Sequence, residues 1–146
     1  MELNVQQEAR VWSRVLGGDG LTAEQLLALI REEEQTACTY GHLAGLICPR
    51  ERQTLKNLAG EERCHADRLR AVYFLMTGQR VCAQRQEPPC VTCLSETLRQ
   101  QYKRELADAE RYAGLAKGEF ACTMEALARE EKAHAQALLC LLQRVL

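Results

Sequence analysis

The chain has 146 residues, a formal net charge of −1, few aromatic residues and only three prolines, Pro49, Pro88 and Pro89. That length fits one domain with a sizeable core, and long proline-free stretches rich in Ala, Leu, Glu, Gln and Arg predict an all-α protein. The balanced charge gives no nucleic-acid-binding face and no membrane patch, and no apolar run reaches the about 18 residues of a spanning helix.

Residues 1–20 are expected to form a short N-terminal helical segment around Val5, Ala9, Trp12 and Leu16, ended by Gly17-Gly18-Asp19-Gly20. The opening MELNVQQEARVW lacks a positive region followed by an apolar one, so a cytoplasmic chain is expected. Thr22 with Gln25 reads as a capping box for the first long helix. Its apolar stripe runs Leu26, Ile30, Glu33, Ala37, Tyr40, Ala44 and Ile47, and Cys48-Pro49 makes the turn. The second helix carries Leu55, Leu58, Glu62, His65, Leu69, Val72 and Met76 at alternating three- and four-residue steps.

The stretch GQRVCAQRQEPPCVTC, residues 78–93, has no period and holds two of the prolines, so it is a connection. Fully extended it reaches roughly 50 Å, enough to cross lengthwise along a helix pair. A third helix follows with Leu94, Leu98, Gln101, Glu105, Ala109, Tyr112 and Ala116. Gly118 marks a turn, and the fourth helix shows Phe120, Met124, Leu127, Glu131, His134, Leu138, Leu141 and Val145. Residues 21–146 are thus expected to form a single four-helix domain.

The chain repeats itself weakly. Glu33 precedes Tyr40 by seven residues and Glu105 precedes Tyr112 by seven. Each Glu–Tyr helix is followed by a helix bearing Glu-x-x-His, Glu62/His65 in one copy and Glu131/His134 in the other. Residues at i and i+3 share a helix face, so each pair aims a carboxylate and an imidazole at one point. With 17 glutamates in the chain, two of three histidines would carry one at minus three by chance roughly 4% of the time.

Placement on the apolar stripe makes chance the poorer account, because a glutamate inside a core is costly unless paired with a cation. Four carboxylates and two neutral imidazoles carry a charge that two divalent cations neutralise. An oxygen-rich shell with one nitrogen per metal suits iron or manganese, with zinc able to take the same ligands in a purified sample. Glu32, Glu34, Glu61, Glu110 and Glu130 lie off the stripe and are expected to be solvated. His42, off the stripe and with no glutamate at minus three, reads as an ordinary surface or rim histidine.

The order Glu…Tyr, Glu-x-x-His, long connection, Glu…Tyr, Glu-x-x-His resembles the ferritin-like superfamily, and within it the rubrerythrin branch, over nearly all of residues 21–146. The resemblance implies a ferritin-like bundle of two helical hairpins. In it Glu62 and Glu131 bridge two metals, Glu33 and Glu105 are terminal ligands, and His65 and His134 bind one metal each. It implies Tyr40 and Tyr112 as hydrogen-bond donors to ligand carboxylates. Asp108 stands where rubrerythrins carry a further ligand glutamate, so it is a candidate extra ligand.

Rubrerythrins typically also carry a rubredoxin domain with two Cys-x-x-Cys pairs, for which this chain has no room. Cys90-x-x-Cys93, with Cys82 eight residues earlier, is a candidate thiol site, either a dithiol relay or a metal site, against free loop thiols. Cys38, Cys122 and Cys140 read as small packing residues. The function implied is that of a di-iron peroxidase, an oxidative-stress oxidoreductase acting on hydrogen peroxide or dioxygen, with an external electron donor and a homodimeric state. Iron binding with ferroxidase activity alone is the alternative.

Overall fold

The computed structural model describes residues 20–146. The expected N-terminal helix around Val5 and Trp12 lies outside these. Four long helices account for the described chain: α1 Ala23–Leu46, α2 Arg52–Thr77, α3 Leu94–Leu115 and α4 Ala121–Val145. A 3-10 turn at Gly118–Phe120 leads into α4. The ends follow local chemistry. Thr22 and Gln25 form the reciprocal capping box, with Gln25 N donating to Thr22 Oγ1 at 3.1 Å and Thr22 N donating to Gln25 Oε1 at 2.9 Å. Helix α2 stops at Gly78, whose φ of 72° is the left-handed conformation that glycine adopts freely.

The apolar residues gather in two clusters. One holds Leu26, Ile30, Leu69, Val72, Tyr112, Met124 and Leu127 among others. The second holds Tyr40, Leu43, Leu55, Leu58, Leu98, Leu138 and Leu141. Each helix contributes to both, so the clusters mark the two ends of one bundle and fix the helix directions. Helices α1 and α4 run from the first cluster to the second, while α2 and α3 run the other way. Backbones approach closely within the hairpins α1–α2 and α3–α4, and much less between them.

Since α2 ends where α1 begins and α3 starts at the opposite end, residues 78–93 must travel the length of the bundle. Val81 packs on the first cluster and Val91 on the second. Midway the chain is tied to α1. Gln35 Nε2 donates to Glu87 O at 3.0 Å, and the Gln84 N–H and Gln86 Nε2 reach the Glu34 carboxylate at 3.3 and 3.4 Å. The lengthwise crossover that the linker length allows is therefore present. Glu34, expected to be solvated, instead anchors it and also accepts from Arg70.

The two hairpins correspond residue by residue. An offset of 72 relates Leu26 to Leu98, Glu33 to Glu105 and Tyr40 to Tyr112, and an offset of 69 relates Glu62 to Glu131 and Leu69 to Leu138. All of these side chains are buried. Exchanging α1 with α3 and α2 with α4 reverses the helix directions, so the pseudo-twofold axis crosses the bundle axis at mid-height. Whatever sits at mid-height is shared by both halves.

Candidate metal centre

Mid-height is where the apolar stripes are interrupted. Glu33, Glu62, His65, Glu105, Glu131 and His134 form a polar layer between the two apolar clusters, each 4% exposed or less. Four of them, Glu62, His65, Glu131 and His134, offer ligand atoms that all lie within 4.8 Å of one another and could hold a metal ion. Among the described residues no other group of three or more His, Cys, Asp or Glu side chains does so.

The geometry is reciprocal. His65 Nδ1 lies 2.9 Å from Glu131 Oε1 and 3.2 Å from Glu62 Oε2. His134 Nδ1 lies 2.9 Å from Glu62 Oε1 and 3.1 Å from Glu131 Oε2. Each of these two carboxylates therefore splits its oxygens between both histidines. The imidazoles stack, with centroids 5.1 Å apart and an interplanar angle of 14°. Glu33 Oε2 and Glu105 Oε2 stand further out, 3.8 Å from His65 Nδ1 and 3.9 Å from His134 Nδ1 respectively.

The tyrosines cross between hairpins. Tyr40 on α1 donates to Glu105 on α3, and Tyr112 on α3 donates to Glu33 on α1. Both rings are fully buried at the edge of an apolar cluster, so each hydroxyl meets the polar layer from one end. Burial and the facing carboxylates push both phenols well above their ordinary values.

Charge in this layer is balanced by protons. Burial pushes Glu105 up to about 11, with the charges of Glu62 and Glu131 adding to it. Burial likewise raises Glu33 well above the carboxylate range, against a hydrogen bond from His65. For Glu62 and Glu131 burial also pushes upward, but hydrogen bonds from His134 and His65 outweigh it and hold both carboxyls low. Burial pushes the histidines down, and the surrounding glutamates outweigh it, raising His65 to about 12 and His134 to about 11. Two acids, two carboxylates and two imidazoliums sum to zero charge.

Satisfaction is incomplete all the same. Glu62 Oε2 and Glu131 Oε2 are buried without a well-formed hydrogen bond, the nearest imidazole Nδ1 atoms standing 3.2 and 3.1 Å away. A buried orphan oxygen costs about 1–3 kcal/mol, and a cation between the carboxylates would satisfy both.

The remaining candidates fall elsewhere. Asp108 turns to Arg111 at 2.7 Å and Arg104 at 3.7 Å and stays out of the cluster. Burial holds its carboxyl at about 6 in spite of those arginines. Cys82, Cys90 and Cys93 are exposed free thiols in and beside the crossover and form no three-ligand group. Cys93 occupies the N-cap position of α3, and its thiol is lowered by the Ser95 hydroxyl beside it. Cys122 was expected to pack between helices; it is exposed, while Cys38 and Cys140 are half-buried. His42 is half-buried, as a rim residue.

Two residues expected to be solvated are part of the arrangement. Glu61 Oε2 lies 2.6 Å from His134 Nε2, and Glu130 Oε2 lies 3.2 Å from His65 Nε2. Glu32 pairs with Arg111, and Glu110 is exposed as expected. The outer edges of both imidazoles face a half-open cavity of about 310 Å³ between α2 and α4, lined by Glu61, Cys64, Arg68, Glu130 and Ala133. Cys64 is exposed there, beside the buried His65.

The chain matches no protein-family model, no curated protein and no solved structure. No helix among the described residues is long and apolar enough to cross a membrane.

Proposed function

We propose that this chain is a ferritin-like protein of the rubrerythrin type, holding two iron ions in its polar layer and reducing hydrogen peroxide. The observation that carries the reading is the reciprocal layer of four glutamates and two histidines, with the oxygens of Glu62 and Glu131 divided between the two imidazoles. Glu62 and Glu131 would be shared by two cations, with Glu33 and His65 holding one and Glu105 and His134 the other. Two divalent ions would take the place of the four protons on His65, His134, Glu33 and Glu105 and keep the layer neutral. The single lengthwise crossover and a Glu-x-x-His motif on each of two helices are the pattern of carboxylate-bridged bundles.

Two ferrous ions would supply the two electrons that, with two protons, take one hydrogen peroxide to two waters. The chain's own residues set the conditions. Tyr40 and Tyr112 hold the terminal carboxylates by hydrogen bonds from the opposite hairpin. The apolar clusters above and below keep bulk water off both ends. The cavity of about 310 Å³ between α2 and α4 has room for a molecule the size of peroxide. An external reductant must return the two electrons, and the exposed cysteine pair is one place where it could act.

Metal content on anaerobically purified protein, with Glu62→Ala/Glu131→Ala alongside, tests this reading. Two irons per chain, lost in the variant, with peroxide consumed by the reduced protein, are expected. A folded wild-type protein without stoichiometric metal would sink the reading, and a loaded protein inert to peroxide would leave only iron binding.

A further inference from the structure

A second half-open cavity, of about 330 Å³, lies between α1, α2 and the crossover. Its apolar lining is small: Ala37 and Ala66, both buried, and Ala83 of the crossover. Its polar lining belongs to one hairpin only. By the offsets of 72 and 69, Glu34 corresponds to Leu106, Asp67 to Gln136 and Arg70 to Leu139, while Arg63 keeps only its charge, as Lys132. The alanines recur, as Ala109 and Ala135. Hairpin α3–α4 therefore folds and supplies its half of the polar layer without this polar set.

Both carboxylates of the cavity turn to the same arginine. Arg70 Nη1 donates to Asp67 at 2.7 Å, and Arg70 Nη2 donates to Glu34. Glu34 also accepts from the Gln84 N–H and Gln86 Nε2, and Asp67 is 75% exposed, so solvent screens its charge. Two cationic donors remain. Arg70 Nε is buried without an acceptor, and among the described residues no carboxylate pairs with Arg63. The two arginines stand seven residues apart on α2, about 10 Å along one face. We propose that this cavity binds a small dicarboxylic acid: one carboxylate pairs with the Arg63 guanidinium, the other accepts from Arg70 Nε–H, and the methylenes between them lie on the alanines. A guanidinium edge matches carboxylate geometry, and the volume is at the small end of ligand sites. The site is separate from the cavity between α2 and α4 and does not rest on the metal-centre reading.

The test is a calorimetric titration of the full chain with malonate, succinate, glutarate and adipate, with acetate and inorganic phosphate for comparison. The protein is chelated first, so that no metal in the polar layer can take the carboxylates. Arg63→Gln removes one cation, and Ala83→Leu fills the cavity from the exposed crossover. Thermal melts of both variants beside wild type check the fold. At least one dicarboxylate is expected to bind about tenfold or more tightly than acetate, and each variant to weaken it about 10- to 100-fold. Because the crossover forms one wall, hydrogen exchange at the Gln84 amide should slow about tenfold at a ligand concentration ten times Kd.

A wild-type protein that binds no dicarboxylate better than acetate overturns the proposal. So does a dicarboxylate that binds both variants within about threefold of wild type, because it then sits elsewhere. If phosphate binds most tightly and Ala83→Leu has no effect, Arg63 is an exposed cation that takes any anion, and the cavity is not a dicarboxylate site.

Discussion

The two hairpins are alike at the centre and unlike at the periphery. Around the polar layer every glutamate, histidine and buried tyrosine–glutamate pair of α1–α2 has its counterpart in α3–α4, as do Leu26, Leu58 and Leu69. Away from it the match fails. Helix α1 buries eleven residues, and the crossover is strapped across it through Glu34 and Gln35. Helix α3 buries four, Leu98, Glu105, Ala109 and Tyr112, and its outer face carries the half-exposed Leu106. What the halves share is thus confined to what the mid-height layer needs. The rest of each hairpin answers only to its own neighbours.

The largest effect that can break this comparison lies in the ligands. On the proposed reading Glu62 and Glu131 hold both metals, and Glu33 and Glu105 one each. Glu62→Ala or Glu131→Ala alone should therefore remove both metals, and Glu33→Ala or Glu105→Ala one. Metal content of the four variants is the measurement. Equal single losses from all four would mean two independent sites with no bridge.

The next effect is on pH dependence, where the sign follows from the protons held in the layer. Between pH 6.5 and 9 an unfolded chain has neutral histidines and ionised glutamates. The metal-free fold instead keeps protons on His65 and His134, raised to about 12 and 11, and on Glu33 and Glu105, also raised. The native state binds more protons than the unfolded one, so metal-free stability falls as pH rises through this range. Glu62 and Glu131 are depressed, so their contribution is present above about pH 4.5 and lost as pH falls below it. If the layer holds metal as proposed, loading should release the four protons and remove the alkaline loss. Thermal melts of chelated and loaded protein at pH 6 and pH 9 check both signs. A chelated protein equally stable at both would show that the layer does not hold those protons.

Much of this centre is legible along the chain because burial in a helix has a period. Glu33, Glu62, His65, Glu105, Glu131 and His134 stand where the stripe calls for aliphatic residues, so their burial follows from spacing alone. Which tyrosine serves which glutamate does not follow. The crossing of Tyr40 to Glu105 and Tyr112 to Glu33 depends on how the hairpins face each other. Glu61 and Glu130 lie about 100° from the stripe, which on an isolated helix is solvent. Only the seam between α2 and α4 gives them histidines to touch. Their repetition as Glu-Glu-x-x-His in both copies was the available signal. Glu34 was illegible for a related reason, since its partners come from a segment without periodicity.

A smaller effect separates the outer parts of α1 and α3. Leu26 and Leu98 are corresponding residues, both fully buried. Truncation of a buried leucine costs about 2–5 kcal/mol, less where neighbours can close the gap. Leu26 sits among the buried Ala23, Leu29 and Ile30. The cluster that holds Leu98 is packed against by the partly buried Val91, Leu94 and Tyr102, which are less confined than fully buried neighbours. Leu26→Ala is expected in the upper half of that range and Leu98→Ala in the lower half, by denaturant unfolding. The reverse order would mean that α3, for all its exposure, is the more rigid of the two.

The smallest effect isolates the strap from the centre. The Glu34 carboxylate accepts from Arg70 and from Gln84 and Gln86 of the crossover. Its counterpart by the 72-residue offset is Leu106, 39% exposed and facing no crossover. Glu34→Ala removes its share of the tie, the Gln35 bond to Glu87 remaining, and leaves Arg70 with Asp67 alone, a loss on the order of 1–2 kcal/mol for a partly buried charged group. Leu106→Ala should stay within about 0.5 kcal/mol. Hydrogen exchange at the Gln84 amide should quicken in the first variant and stay unchanged in the second, while both keep the wild-type metal content. Loss of metal on cutting the strap would show that the crossover presses the first hairpin onto the layer. The symmetry of the centre would then depend on a contact that only one hairpin has.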